Sequence, residues 1–295
     1  YDQIVVIGKE IYIPTVNPLP PFRLRLFLLG TDDAGRDVLS RVLWAFRPTL
    51  LLCLIVVAVR MTVGLPLGLI AGWYRGLPER AIDALISASV SIPALVFCVA
   101  AISFLGSASG LIAFMVALSL TGWADTAAFA RHHALTIAGA PYIESARAAG
   151  VKPSGILRRY LLPQLWPVLP ALIAFELSAV MLLVAELGFL GQYIGGGFVY
   201  AEQRGDTLID LQIMTEGYPE MGQMLSKVWA KIIRVPWQPV IVGIIVFSMV
   251  FAFNMLGEGL RRRMDITRAR GGGRSALRRR QMLPRSKDPA SARRS

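Results

Sequence analysis

Charged side chains inside long apolar stretches are the residues of this chain most able to do chemistry. Arg60 lies near the middle of one apolar run, and Glu176 lies at a similar depth in another. A charge at the centre of a bilayer costs ~2.5–3.5 kcal/mol or more unless it is paired or hydrated. We therefore predict that Arg60 and Glu176 either form an ion pair or both face an aqueous pathway. A third arrangement has Arg60 paired with a second chain.

Two further polar residues in apolar stretches are weaker candidates for such a pathway. Glu186 lies near the end of the apolar stretch that contains Glu176. It is a candidate pathway residue, with a hydrogen-bond acceptor in helix packing as the alternative role. Ser91 follows Ser87 and Ser89 and precedes Pro93. This order predicts a kinked helix whose hydroxyls bond the carbonyls that the proline leaves free, with interhelical packing as the alternative role.

A polar insert between two apolar stretches predicts a short helix, a break and a second helix. Pro141 suits a first helical position, and Glu144 lies where the helix dipole favours an anion. Gly150 can end this helix in a left-handed conformation, and Ser154 can cap the next one. Pro163 marks the approach to a further span. A stiff element of this kind is suited to transmitting motion to a soluble partner.

The insert resembles the "EAA" signature of the permease subunits of bacterial ABC importers. It reads Glu144-Ser145-Ala146, three residues, Gly150, nine residues, then Tyr160-Leu161-Leu162-Pro163. The family pattern is Glu-Ala-Ala, three residues, Gly, nine residues, then Ile-x-Leu-Pro, so Ser145 and Tyr160 depart from it while the spacing is intact. Segments 29–41 and 253–261 resemble the dipeptide/oligopeptide/nickel permease group, in its second, "C"-type subunit.

The resemblance implies the type I ABC importer permease fold, with the insert as a coupling helix in a groove of a cytoplasmic ATPase subunit. Its implied partners are a homologous second permease subunit, two ATPase subunits, an extracytoplasmic substrate-binding protein and the lipid bilayer, with no nucleic acid. ATP and magnesium would be held by the ATPase subunits, and this chain would need no cofactor. The implied coupling residues are Glu144, Ser145, Ala146, Ala149, Gly150 and Pro163.

Composition independently predicts an all-α, polytopic membrane protein. Hydrophobic residues make up 55% of the 295-residue chain and charged residues only 17%, and several apolar runs have the ~20 residues that cross ~30 Å of hydrocarbon. We predict five visible transmembrane helices of a probable six. Their predicted ranges are 48–73, 81–105, 111–130, 165–190 and 238–257.

Charge placement predicts the orientation. The hairpin 106–110 has no Lys or Arg and is predicted outside, whereas the insert 131–163 carries five and is predicted cytoplasmic. After Leu260 there are thirteen Lys and Arg against two Asp, which accounts for eleven of the chain's twelve net positive charges. The location is therefore expected to be the bacterial inner membrane with the C-terminus in the cytoplasm. The basic residues indicate a cytoplasmic tail that could touch anionic lipid, not a nucleic-acid-binding domain.

These observations divide the chain into three regions. Residues 1–47 are predicted to be extracytoplasmic and to end in an interfacial helix over 35–47. Residues 48–260 form the permease domain, with a coupling loop at 131–163 and an outer loop at 191–237 that holds an apparent insertion at 192–217. Residues 261–295 are predicted to be a disordered tail. The apolar side of the interfacial helix would consist of Val38, Leu39, Val42, Leu43 and Phe46.

The resembled subunits have six spans, and the chain starts at Tyr1 without a preceding apolar run. A first transmembrane helix missing from this sequence explains the difference, with a cleaved signal peptide as the alternative.

No enzyme motif is present, so this chain is not expected to be an enzyme. It lacks the Gly-x-x-x-x-Gly-Lys-Ser/Thr phosphate loop and a nucleophile elbow. The side chains of His132 and His133 would point apart on a helix, which disfavours a metal site, and Cys53 and Cys98 lie in apolar spans. The predicted function is an ATP-driven importer permease that moves peptides or a similar small solute by alternating access. The alternatives are a non-transporting scaffold or receptor for an ATPase, and a proton-coupled carrier.

Overall fold

The first long helix begins where Asp37 caps it. The Asp37 carboxylate accepts hydrogen bonds from the backbone N–H groups of Leu39 and Ser40, at 3.3 and 2.9 Å. Helix α1 then runs without interruption over Val38–Trp73, through Pro48 and Pro66. The prediction of a separate interfacial helix over 35–47 is therefore wrong. A proline removes one backbone hydrogen bond, and the buried residues Ala45 and Thr49 pack α1 into the bundle on either side of Pro48.

The predicted apolar side of residues 35–47 is confirmed for Val38 and Val42, which are buried, and is wrong for Leu43 and Phe46, which are 67% and 41% exposed. Arg41 is only 4% exposed, because its guanidinium contacts the buried carboxylate of Asp32 at 2.9 Å. An inward ion pair cannot be seen in a pattern of apolar residues, which is why helical spacing located only part of the buried side.

The structure is a computed structural model that describes residues 5–7, 10–12, 19–22, 27–32, 35–105, 110–194, 199–201, 212–214 and 219–282. Within these ranges, four helices are long and apolar enough to cross a membrane, and a bent helix pair raises the number to five if it forms one span. The predicted five visible spans agree with the upper number. The four helices are α1 and the ranges Leu111–Ala138, Leu169–Phe189 and Trp237–Arg263.

The bent pair covers the span predicted at 81–105. Helix α2, Leu77–Ser91, and helix α3, Ala94–Leu105, meet at 88°. Ile92 between them is extended, with φ −97° and ψ 124°, because the residue before a proline is pushed out of the helical region. The kink predicted at Pro93 is confirmed, and at 88° it fits either a broken span or a re-entrant loop.

Helix α4 covers Gly110–Ala138 and so continues eight residues beyond the predicted span. The coupling loop therefore begins after Ala138 and not at residue 131. Four short helical segments follow: α5, Pro141–Ala148; α6, Pro153–Ile156; a π-helical turn, Leu157–Leu161; and α7, Leu162–Leu165.

Two long helices complete the membrane part. Helix α8, Leu169–Phe189, confirms the span predicted at 165–190. Helix α11, Trp237–Met282, contains the predicted span 238–257 and continues far beyond it. The structure describes residues 261–282, the first part of the predicted disordered tail, as a continuation of α11. Disorder of the tail stays a prediction. Residues 283–295 lie outside the described residues.

The loop between α8 and α11 carries α9, Met221–Met224, and α10, Val228–Arg234. Most of the predicted insertion 192–217 lies outside the described residues. Four three-residue strands form two antiparallel hairpins, β1 Val5–Ile7 with β2 Glu10–Tyr12 and β3 Val199–Ala201 with β4 Gln212–Met214. The membrane part is all-α, as predicted.

Candidate functional site

The coupling segment, defined here as residues 139–168, has the predicted helix, glycine break and second helix. Helix α5 ends at Gly150, which has φ +78°. The Gly150 N–H donates to the Arg147 carbonyl at 3.0 Å, and the Val151 N–H donates to the Ala146 carbonyl at 3.1 Å. These two bonds form a Schellman motif, which fixes the direction in which the chain leaves the helix.

The second half of the coupling segment is a continuous helical run with a π-helical turn at its centre. Lys152 precedes it and Pro153 takes its first position, so the prediction that Ser154 caps this helix is wrong. Proline supplies a fixed φ and needs no partner for an N–H, which makes a side-chain cap unnecessary. Pro163 lies in α7, directly after the π-helical turn.

An apolar cluster seats the coupling segment on the ends of α1 and α4. Ile143 is fully buried and belongs to a cluster with Leu69 and Trp73 of α1 and Ile137 of α4. The guanidinium of Arg147 also lies over the Trp73 ring, 4.7 Å from its centroid. Helix α5 is therefore packed directly onto the ends of α1 and α4.

The other side of the coupling segment is open. Most of the predicted coupling residues are exposed, and they are Glu144, Ser145, Ala149, Gly150 and Pro163. Ala146 is the exception, because it is 7% exposed and packs into the cluster beneath α5. Ala146 therefore supports the segment from below and does not belong to its outer surface.

Arg60 and Glu176 form the ion pair that their types predict. Arg60 Nη1 lies 3.1 Å from Glu176 Oε2, and the two residues are 2% and 7% exposed. Both lie inside the helix bundle of this chain, so the alternatives in which Arg60 pairs with a second chain or the two face water do not describe this structure.

Helix α4 supplies the remaining partners of this pair. Arg60 Nε and Nη2 donate to the Leu118 carbonyl at 2.9 and 2.7 Å, and Nη2 also donates to Thr121 Oγ1 at 2.9 Å. Thr126 Oγ1 donates to Glu176 Oε1 at 3.1 Å. The network joins α1, α4 and α8 and satisfies both charged groups, which a charge in a membrane interior requires.

A stripe of glycines on α1 was missed by the sequence analysis. Gly64, Gly68 and Gly72 lie four residues apart and pack directly against α4. A Cβ at Gly64 would lie 2.6 Å from the Trp123 carbonyl oxygen, and one at Gly72 would lie 2.6 Å from Ala134 Cβ. The small-xxx-small spacing in an apolar run was the signal that could have found this interface.

Ser91 and Glu186 are not brought to the ion pair. Ser91 is exposed at the bend between α2 and α3, where its hydroxyl donates to the Ala88 carbonyl at 2.7 Å. Glu186 is half-buried on α8, ten residues after Glu176. In the part of the chain that is described, no hydrogen bond or ion pair connects either residue to Arg60 or Glu176.

An ion-pair cluster near the turn between α1 and α2 was also missed. Arg131 Nη2 on α4 lies 2.6 Å from Asp83 Oδ2 and 3.4 Å from Glu79 Oε1 on α2. The nearby His133 ring stacks on Phe129, with centroids 6.1 Å apart. These contacts join α2 to the same end of α4 that carries the coupling segment.

Comparison with known proteins agrees with this geometry. Residues 64–266 match the family model described as "Binding-protein-dependent transport system inner membrane component". A dipeptide transport system permease protein, DppC, of Haemophilus influenzae is 31% identical over 81% of this chain and 74% of its own length. A glutathione transport system permease protein, GsiD, of Pectobacterium atrosepticum is 29% identical over 80% of this chain and 71% of its own length.

A solved structure shows the same fold. A chain of the MetNI methionine ABC transporter in an inward-facing conformation superposes with a TM-score of 0.53. It is 20% identical in sequence, and the match covers 75% of this chain and 96% of that one. The predicted importer permease fold is confirmed. The chain belongs to the family of binding-protein-dependent transport system inner membrane components, and it is a multi-pass permease of an ABC importer.

Proposed function

We propose that this permease imports peptides or similar small solutes, and that its coupling segment is seated on an ATPase subunit. The relatives named above transport dipeptides and glutathione, which supports a peptide-like cargo. The observation that carries the proposal is the exposed surface of α5, held on a rigid base between two spans.

The orientation that we propose places the coupling segment and the C-terminus in the cytoplasm. Lys152, Arg158 and Arg159 are all exposed on the coupling segment, and basic residues concentrate in cytoplasmic loops. The membrane would be the inner membrane of a bacterium. Helices α9 and α10 would then lie at the outer end of the bundle.

The complete transporter would contain a homologous second permease subunit, two ATPase subunits and an extracytoplasmic substrate-binding protein. This chain would catalyse no reaction and hold no cofactor, since ATP and magnesium would be bound by the ATPase subunits. Five or six helices of one copy cannot easily enclose a peptide-sized channel, so the pathway would lie between the two permease subunits.

The mechanism that follows is alternating access driven from the coupling segment. Closure of the ATPase subunits on ATP would displace α5, and the apolar cluster around Ile143 would carry the ends of α1 and α4 with it. The helices would then open toward the docked binding protein. Hydrolysis would return them to the inward-facing state and release the substrate.

Reversing the charge of Glu144 tests this proposal. In proteoliposomes that contain the whole complex, Glu144→Lys should reduce binding-protein-stimulated ATP hydrolysis and peptide uptake at least tenfold, because it places a cation where a basic partner residue is expected. The matched control is Lys227→Glu, an exposed residue between α9 and α10, which should hydrolyse ATP at the wild-type rate. Wild-type hydrolysis and uptake in Glu144→Lys would overturn the proposed role of α5.

A further inference from the structure

The pair between Arg60 and Glu176 has a position that neither the family match nor the relatives' names explain. It lies inside the bundle and satisfies its own charges, so it offers no free group to a passing solute. The three helices that the ion pair and its hydrogen bonds connect, α1, α4 and α8, are also the helices that meet the coupling segment. Helices α1 and α4 form the base of the coupling segment, and α8 follows it in the chain. The ion pair therefore lies at the point where α1, α4 and α8 contact one another.

Between the ion pair and the coupling segment, α1 and α4 are packed closely against each other. Gly64, Gly68 and Gly72 bring the two backbones into direct contact, so that a Cβ at any of them would overlap α4. Arg60 lies one turn before Gly64 on the same side of α1. Its guanidinium lies against Gly122 of α4, where a Cβ would overlap it. Arg60 thus continues the α1–α4 contact by one more turn and places a charge within it.

Helix α8 joins this unit through Glu176. Two residues farther along, Ser178 accepts a hydrogen bond from Asn254 Nδ2 of α11 at 2.6 Å and donates to the Val250 carbonyl at 3.2 Å. Helix α8 is therefore held by two separate polar contacts, one from Glu176 to Arg60 on α1 and one from Ser178 to Asn254 on α11. Residues two apart lie on different sides of a helix, so α8 itself links the two contacts.

We infer that Arg60 and Glu176 are positioning residues that make α1, α4 and α8 move together, and so transmit the displacement of the coupling segment to α11. This inference rests on the proposed function of that segment. Apolar attraction is non-directional, so it fixes the register of two helices less strictly than a hydrogen-bonded ion pair does. A shift of one helix would leave the two charges of a buried ion pair unpaired in a medium of low polarity. The pair therefore fixes the register of α8 against α1 and α4.

The test replaces both charges together. The double variant Arg60→Met with Glu176→Met fills similar volumes without charge, and buried ion pairs often tolerate such replacement in folding. In proteoliposomes that contain the complete transporter, we expect wild-type assembly and ATP hydrolysis within twofold of the wild type, but at least fivefold less peptide imported per ATP hydrolysed. A purely structural pair would leave this ratio unchanged, so a wild-type ratio in the double variant would overturn the inference.

A second variant keeps the inference testable if the double variant does not assemble. Glu176→Asp keeps the charge and shortens the side chain, so it weakens the pair without leaving Arg60 unpaired; it should assemble and show at least a twofold lower ratio of import to hydrolysis. A wild-type ratio in Glu176→Asp would overturn the inference. Ser248→Ala is the control, because the Ser248 hydroxyl is exposed and bonds only within α11, to Ile244. Failure of the proposed function is distinguishable, since Glu144→Lys would then leave stimulated hydrolysis unchanged.

Discussion

Glu220 is a buried carboxyl group at the start of α9, outside the spanning helices. It is 2% exposed, and its Oε2 accepts a hydrogen bond from the Ile194 N–H at 3.2 Å. Burial raises the pKa of Glu220 from 4.5 to about 7, against the opposing effect of backbone hydrogen bonds from Ile194, Gly222 and Gln223. Between pH 4.5 and about 7, the Glu220 carboxyl group therefore keeps its proton in the folded protein and loses it in the unfolded chain.

This shift predicts that the stability of the protein depends on pH. Because the folded-state pKa exceeds the unfolded one, the contribution of Glu220 is fully present below pH 4.5 and is lost as the pH rises through about 7. The loss is on the order of 3 kcal/mol, since one pKa unit corresponds to ~1.4 kcal/mol. Thermal unfolding in detergent should show the Tm falling between pH 5 and pH 8, and Glu220→Gln should flatten that dependence. An equal slope in both proteins would contradict the assignment.

Gly122 is the second residue whose identity the structure explains. The Arg60 guanidinium lies against it and is held there by hydrogen bonds to Leu118, Thr121 and Glu176. Gly122→Ala should displace the guanidinium and cost about 1–3 kcal/mol, as overpacking does. Gly139→Ala, at a glycine with open space around it, should leave the Tm in detergent within about one degree of the wild type. Equal Tm values for the two variants would show that Arg60 can move without cost.

At the level of elements, the contact between α1 and α4 depends on glycine. A Cβ at Gly68 would overlap the backbone of Ala127, which cannot turn aside as a side chain can. Gly68→Ala should therefore push the helices apart and lower stability by about 1–3 kcal/mol. Gly243→Ala on α11, where nothing lies within 4 Å of the added carbon, should be neutral or slightly stabilising. The Tm values of the two purified variants, compared with the wild type, decide the point.

Hydropathy located the spanning helices but not their ends or breaks. The span 165–190 was predicted closely because its apolar run is uniform. The first helix was cut at Pro48, since a proline normally limits a helix, yet packing carries α1 across it. The break at Pro93 was expected, but its 88° angle depends on how α2 and α3 pack and cannot be derived from sequence alone.

Contacts between side chains of different helices were also only partly predictable from the sequence. Arg60 and Glu176 could be paired from the sequence because each charge is expensive alone in a membrane. Their other partners, Leu118, Thr121 and Thr126, are ordinary residues of α4, and no pattern singles them out. The inward position of Arg41 could not be predicted for the same reason, because its buried partner Asp32 lies nine residues away in the sequence.

At the scale of the whole molecule, the structure joins two regions that the sequence could only treat separately. The coupling segment is held by the ends of α1 and α4, and the ion pair holds those helices to α8. A displacement at α5 therefore has a continuous path of packed and bonded residues into the bundle. The motif predicted the location of α5 but not this path, because the path depends on long-range packing.

Site-specific cross-linking tests the central claim most directly, because the two native cysteines, Cys53 and Cys98, are buried and leave the surface free for an introduced one. In membranes that contain the complete transporter, Ser145→Cys should cross-link to an ATPase subunit with a short bifunctional reagent. Lys227→Cys, exposed between α9 and α10, should cross-link to no ATPase subunit. A Ser145→Cys protein that is labelled only from the outside of the cell, or that forms no cross-link in an assembled transporter, would contradict the account.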